Sequence, residues 1–176
     1  VLLISGACES SFFCMPQGVD CISLPSMRKS DASYMPRRLN LSASDLIRVR
    51  SSLIDAAIRE FKPDAFIVDK LPRGVGGELE LVLNRLSQIP SCRKVLGLRD
   101  ILDDRESTKA EWAREDFDAF TCRSYDEVWI YGNRTFYDTS AEYSFSPQLT
   151  SRCRYLGYVD PNEYDGAAHS FGEENS

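Results

Sequence analysis

The chain has little with which to do nucleophilic or metal chemistry. It holds a single histidine, His169, and that residue sits in the polar stretch near the end with no obvious partner. No Ser/His/Asp or Cys/His arrangement can be assembled from the body of the sequence. The cysteines (Cys8, Cys14, Cys21, Cys92, Cys122, Cys153) form no C-x-x-C and no Cys/His cluster, so structural zinc is not expected. Scattered thiols in an α/β chain suit a reducing, cytoplasmic compartment, with each thiol buried and unreactive by default. No apolar run approaches the roughly 20 residues of a membrane helix, and no basic, cleavable leader opens the chain. Positive charge is also in deficit: 21 basic against 27 acidic residues give a net charge of −6, which argues against nucleic acid as a partner.

What is present reads as one soluble α/β unit. The 176 residues are 43% hydrophobic, enough chain and enough apolar side chain for a real core. A near-continuous apolar run at Val1–Gly6 predicts a strand buried on both faces, and further strands are expected at Val19–Leu24, Ala65–Asp69, Lys94–Leu98, Glu127–Tyr131 and Arg154–Val159. Between them, Ser42 or Ser44 caps a helix whose stripe is Leu46, Val49, Leu53, Ile54, Ala57, Ile58 and Phe61. Leu79, Val82, Leu83, Leu86 and Ile89 mark a second helix, stopped at Pro90. A more polar helix is expected near 109–120, with Trp112, Phe117 and Phe120 inward, and a short helical turn near 136–143. Residues 7–18 read as a short crossover. Residues 25–41, basic and proline-bearing without a period, read as a long loop, either functional or simply a solvated surface. Alternating strands and helices predict a Rossmann-like, doubly wound parallel sheet with helices on both faces. That domain spans 1–160, and 161–176 reads as a polar, acidic linker or tail.

In such sheets ligands bind beyond the carboxyl ends of the strands. The most suggestive loop there is Asp69–Gly77, which leads directly into a helix. Lys70, Arg73, Gly74, Gly76 and Gly77 could hold phosphate or carboxylate on free backbone N–H groups and the positive end of the helix dipole. The pattern is neither G-x-G-x-x-G nor a P-loop, and glycines used only for packing are the competing reading. Arg99, Asp100, Asp103 and Asp104 follow the next strand as an acid/base or hydroxyl-orienting group, or else as helix-capping acids. Asp116-x-Asp118 lies on an expected helix and reads as a solvated face. We find no metal-binding set.

An ordered set of segments resembles a known family: VLLISG, GVDCISLPS, FKPDAFIVDKLPRGVGGEL, KVLGLRDILDD, YDEVWIYGNRTFYD and RYLGYVD. Together they are similar to the amino-terminal half of a bacterial family of predicted glycosyltransferases with the two-domain GT-B fold. That family is related to the enzyme that adds N-acetylglucosamine to the lipid-linked peptidoglycan precursor. The resemblance covers nearly all of residues 1–160 and implies a hexosyltransferase that moves sugar from a nucleotide-sugar donor to an acceptor hydroxyl without a cofactor or metal. It also implies that this segment forms the acceptor-side wall of the cleft, and that the donor is held mainly by a carboxy-terminal domain beyond it. By the same resemblance Lys70–Gly77 match the family's second glycine-rich loop, and Arg99 and Asp100 match its Arg-Asp at the cleft edge. The family's first strand and its glycine- and histidine-bearing loop should precede Val1, so the chain is expected to be a fragment that is inactive by itself, and no catalytic residue is assigned. The acceptor and any association with the membrane surface stay open. The alternative is a stand-alone domain that binds a phosphate-bearing or nucleotide ligand without catalysis. A dinucleotide-dependent oxidoreductase is disfavoured for want of G-x-G-x-x-G after an available strand.

Overall fold

A computed structural model of the chain describes residues 1–7, 14–30, 33–102 and 104–158. Strands form at all six expected places, but the first is only partly buried, with Leu3 42% exposed, and the sixth covers Cys153–Tyr155 in place of Arg154–Val159. β1 (Leu2–Ser5) pairs in parallel with β2 (Asp20–Ser23). Four further parallel strands, β5 (Ala65–Asp69), β6 (Arg93–Arg99), β7 (Glu127–Tyr131) and β8 (Cys153–Tyr155), lie side by side in chain order. This is a mixed α/β architecture, compatible with a Rossmann-like fold. The crossover residues 8–13, Asp103 and the tail 161–176 with His169 lie outside the described residues.

Residues 25–41 are not an irregular loop. They contain an antiparallel hairpin of β3 (Met27–Ser30) and β4 (Ser33–Pro36), paired from Met27↔Pro36 to Ser30↔Ser33. The segment is basic and lacks alternation, so its strands give no period-two signal, and backbone pairing carries them instead.

Helix α1 (Ala43–Phe61) starts where expected, with Ser42 accepting from the Asp45 N–H at 3.1 Å. It ends at Lys62, whose left-handed φ of 51° precedes Pro63. Its buried face differs from the expected stripe. Leu46, Ile54 and Ile58 are buried, but so are Arg50 and Asp55, while Val49, Leu53 and Phe61 are 41%, 42% and 49% exposed. The helix is rotated so that two charged residues with partners on the next helical segment face inward. Helix α2 (Glu80–Leu86) is short and buries Val82, Leu83 and Leu86.

The expected helix at 109–120 is two: α3 (Arg105–Arg114) and α4 (Phe117–Ser124), separated by Glu115 and by Asp116 at φ 52°. The break lets Trp112 fold back to stack on Phe117, with ring centroids 3.8 Å apart and planes within 5°. A single straight helix would set residues five apart on nearly opposite faces. Asp118 is not a solvated acid. It accepts from the N–H and hydroxyl of Ser146 at 2.8 and 2.7 Å, just ahead of α6 (Pro147–Thr150). The helical turn near 136–143 is α5 (Thr139–Glu142), capped by Asp138.

The core is one cluster, and it uses one face of the sheet. Val68, Leu96, Leu98, Val128 and Ile130 point to it, together with Ile54 and Ile58 of α1, Val82, Leu83 and Leu86 of α2, Phe117 and Phe120 of α4, and Leu149 of α6. The alternate residues Ile67, Val95, Trp129 and Tyr131 share the other face, because in-register neighbours point the same way. Helices were expected on both faces, whereas every described helix that enters this cluster lies on the first.

Candidate functional site

The loops that follow β1, β2 and β5 meet on one buried ion pair. Arg50 of α1 and Glu78 are 4% and 5% exposed. Nε of Arg50 donates to Glu78 Oε2, Nη2 donates to Oε1 at 2.9 Å, and Nη1 donates to the Pro25 carbonyl after β2 at 2.6 Å. Glu78 Oε1 also accepts from the Val75 N–H at 3.3 Å. A Cβ on Gly6, which follows β1, would lie 2.7 Å from Nη1, so glycine is what lets that loop close on the guanidinium. Each guanidinium nitrogen of Arg50 and each carboxylate oxygen of Glu78 thus has a partner, as burial demands. Neither residue was singled out from sequence. The signal was a cation one helical turn from both Leu46 and Ile54, inside an apolar stripe.

The glycine loop hangs from this pair. Lys70 leaves β5 in a left-handed conformation (φ 63°), and its N–H donates to the Gly97 carbonyl at 2.8 Å. Gly74, Gly76 and Gly77 have φ of 69°, 62° and 86°. A Cβ at Gly74 would meet Leu79 Cγ at 2.7 Å, and one at Gly76 would meet Ile47 Cδ1 at 2.3 Å, whereas Gly77 has ordinary room. Two of the three glycines are therefore demanded by packing as well as by φ.

Arg73, Gly74, Gly76 and Gly77 come together as expected, lining an open cleft of about 420 Å³ with Glu80, Arg114 and Glu115. The electrostatics differ from a bare anion site. Arg73 Nη1 donates to Glu80 Oε1 at 2.5 Å, and its guanidinium stacks on the Phe120 ring at 3.7 Å. The loop N–H groups of Gly74, Glu78 and Leu79 are spent on the carbonyls of Leu71, Val75 and Arg73. Glu80 accepts from Arg73, and Glu78 accepts from Arg50 and from the Val75 N–H, so both acids are turned on the donors around the loop. Two arginines and two glutamates leave the cleft near neutral.

Lys70, Arg99 and Asp100 do not line that cleft. Asp100 instead ties together the loops after β6, β7 and β8. Its Oδ2 accepts from the Tyr158 hydroxyl at 2.7 Å, its Oδ1 from the Ile101 N–H at 2.7 Å, and its carbonyl from Thr139 Oγ1 at 2.8 Å. Gly132 must lack a side chain, since its Cβ would sit 2.4 Å from Asp100 Cβ. The bond to Asp100 raises the Tyr158 pKa, with burial and the carboxylate's charge adding to it. Tyr131 leans over Gly97, and its pKa is raised by burial and then by Asp69. Arg99 is exposed at the end of β6. Asp104 is the amino-terminal cap of α3, accepting from the Ser107 N–H at 2.9 Å, and that bond lowers its pKa.

The loop after β7 is pinned by Asp138, which accepts from Ser140 Oγ (2.6 Å), Arg134 Nε (2.9 Å) and the Tyr155 hydroxyl (3.0 Å). The Ser140 bond leads in driving its pKa far below the ordinary carboxylate value; the Arg134, Ala141 and Tyr155 bonds assist and burial opposes. Not every thiol is buried: Cys14 is exposed, whereas Cys92 and Cys122 are buried. Burial raises the pKa of Cys92 and Cys122, and pushes that of Cys153 up to about 12. A larger hollow of about 610 Å³ opens at the opposite edge of the sheet, between the ends of α1 and α2, where Asp55 binds both Arg59 and Arg85. No protein-family model matches the chain, and comparison with curated proteins and with solved structures returns no match.

Proposed function

We propose that this chain is the acceptor-side half of a GT-B glycosyltransferase, a fragment that lacks its first strand and works with a nucleotide-sugar-binding half. The observation that carries the proposal is the cleft at the carboxyl edge of the parallel sheet, where Arg73, Gly74, Gly76 and Gly77 face Glu80, Arg114 and Glu115. Guanidinium and carboxylate groups in equal number around an open hollow suit the hydroxyls of a sugar or similar acceptor, each of which both donates and accepts. They suit a free phosphate poorly, because Glu78 and Glu80 already answer the positive groups around the glycine loop. The same feature weighs against a stand-alone phosphate- or nucleotide-binding domain. No residue of this segment is assigned as the catalytic base; inverting transfer would draw that base from outside it.

The test uses the complete reading frame that contains this segment. Nucleotide hexoses carrying uridine, guanosine or thymidine diphosphate are offered, and binding and slow release of nucleoside diphosphate are followed. At least one donor should bind and be turned over. Arg73→Gln should lower turnover roughly 10- to 150-fold, the loss of one charged hydrogen bond of ~1.5–3 kcal/mol, and leave donor affinity unchanged. Failure of every nucleotide sugar to bind at millimolar concentration would refute the proposal. Tight binding of inorganic phosphate by the wild type, abolished by Arg73→Gln, would return the loop to the phosphate-binding reading.

A further inference from the structure

The hollow of about 610 Å³ between the ends of α1 and α2 has a lining that its place in the fold does not require. It opens at the amino edge of the sheet, where both helices have stopped and the chain turns into β5 through Pro63 and Asp64 and into β6 through Ser91 and Cys92. Its inner wall is apolar, made by the buried side chains of Ile58, Leu86 and Cys92. Ile89, in the turn after α2, lines the same hollow and is 41% exposed. The N–H of Ile89 donates to the Leu86 carbonyl at 3.0 Å and its carbonyl accepts from the Cys92 N–H at 3.1 Å. The backbone of that turn is thus tied down, while its large apolar side chain is left facing water.

Cations stand around this apolar wall. Arg59, Lys62 and Arg85 line the hollow, and Asp64 is the acid among its described lining residues. Asp55, 7% exposed, accepts from Arg85 Nε and Nη2 at 2.5 and 3.1 Å and pairs with Arg59 at 3.4 Å. One carboxylate therefore serves two guanidiniums, and the side chains of Arg59 and Arg85 remain 51% and 41% exposed. Counting Asp55 and Asp64 against the three cations leaves one positive charge in excess. Cations in the last turn of a helix answer its dipole and need no ligand for that. The dipole does not call for an apolar wall beneath them, nor for Ile89 beside them.

We propose that this hollow binds a small amphiphile with one carboxylate head and an apolar body. Ligand pockets measure roughly 300–1,000 Å³ and combine mostly apolar walls with a few charged or polar groups that fix the ligand. This hollow has that size and that composition. The guanidinium groups and Lys62 take the head, since both kinds of cation bond a carboxylate strongly. The body covers Ile58, Leu86 and Ile89. A dianion would exceed the one surplus charge, and a neutral apolar molecule would leave it unanswered. The hollow shares no lining residue with the cleft around Arg73, and the inference needs nothing from the glycosyltransferase reading.

The full chain, isotopically labelled, is titrated with octanoate, decanoate and dodecanoate below their aggregation limits while its amide resonances are followed. Ile58, Leu86, Ile89 and Cys92 should shift together and saturate below millimolar dodecanoate. Affinity should rise roughly three- to fourfold for each added methylene. The double variant Arg59→Gln with Lys62→Gln keeps the Asp55–Arg85 bond, so its melting midpoint should stay near that of the wild type. It should bind dodecanoate about 10-fold more weakly or worse, and the wild type should disfavour dodecanol by a similar factor. Absence of a saturable shift at those amides overturns the inference. A flat chain-length series also overturns it, by reducing the hollow to a cation patch. Equal binding of dodecanol, or undiminished binding by the double variant, overturns it by reducing the hollow to an apolar dent. A dimer that Ile89→Asp dissolves and dodecanoate leaves intact would make a second copy of the chain the occupant, and overturns it as well.

Discussion

Replacing Arg50 with alanine should be the most damaging single change to the edge that forms the candidate site. Its guanidinium makes three hydrogen bonds, two to Glu78 and one to the Pro25 carbonyl, from a position 4% exposed. Removing it leaves the Glu78 carboxylate, 5% exposed, with a single backbone donor at 3.3 Å, and leaves the Pro25 carbonyl without that donor. Breaking one side of a buried pair costs about 3–5 kcal/mol, chiefly through the orphaned charge. For a domain of this size, 1 kcal/mol shifts the melting midpoint by about 2–4 °C, so a fall of roughly 6–20 °C is expected. The double replacement Arg50→Met with Glu78→Leu removes both charges and keeps most of the volume. It should recover the greater part of the loss, because a buried pair is worth little against well-packed apolar groups. Urea unfolding of the two single variants and the double completes the cycle. An Arg50→Ala loss below 1 kcal/mol, or a double variant no better than the worse single one, would sink the argument. The guanidinium would then be solvated, and the three strand ends would be held by something else.

The two packed glycines of the loop should separate from the third. Gly76→Ala meets both a left-handed φ and Ile47 Cδ1 at 2.3 Å, and should cost at least 2 kcal/mol in urea unfolding, whereas Gly77→Ala meets only its φ of 86° and about 1–2 kcal/mol. Equal losses would mean that Ile47 moves aside freely. Acid should loosen the loops after β7 through Asp138. Its folded pKa is depressed, so its contribution is fully present above the unfolded value near ~3.9 and is lost as pH falls below it toward the folded value. Amide exchange across residues 134–141 should accelerate below about pH 4 in the wild type and be faster already at neutral pH in Asp138→Asn. Among the described cysteines, Cys14 should react first with a thiol reagent at pH 8, while Cys92, Cys122 and Cys153 should wait for unfolding. Reaction of Cys153 at the rate of Cys14 would contradict its raised pKa.

Strands were legible because burial on both faces, or on one face with cross-strand contacts, writes itself as apolar runs such as KVLGL and EVWIY. The β3–β4 hairpin was not, because nothing in MRKSDASYMPRR alternates. Its pairing is a backbone matter that side-chain patterning does not report. The break at Asp116 was hidden for a related reason. Trp112, Phe117 and Phe120 were all correctly placed inward, but the spacing of five between Trp112 and Phe117 needs a left-handed residue to become a stacked pair. In α1 the periodicity found the helix and its caps and missed its rotation. Counting only apolar residues centres the stripe near Leu53, whereas Arg50 and Asp55 pull the buried face around toward Glu78 and Arg85.

That rotation is also why the site was half legible. Sequence located the glycine loop and the edge it occupies, since a strand, a run of glycines and a helix start are local features. It counted Arg73 among the groups that could hold an anion because the partners that engage it are set by folding: Glu80 across the loop, Phe120 from α4, and the Glu115 carbonyl from the turn before it. Glu78 was read past for the same reason, being one of several acids in GGELEL until Arg50 arrives from 28 residues upstream. Around the loop Glu78 is spent on Arg50 and Glu80 on Arg73, so a ligand entering the cleft meets Arg73 already paired. A dianion would have to displace Glu80 from Arg73 before gaining anything, while a hydroxyl can add to the pair without breaking it. If the acceptor proposed above binds there, the exchange of Arg73 from Glu80 to it should be visible as a loss of affinity in Glu80→Gln smaller than that in Arg73→Gln.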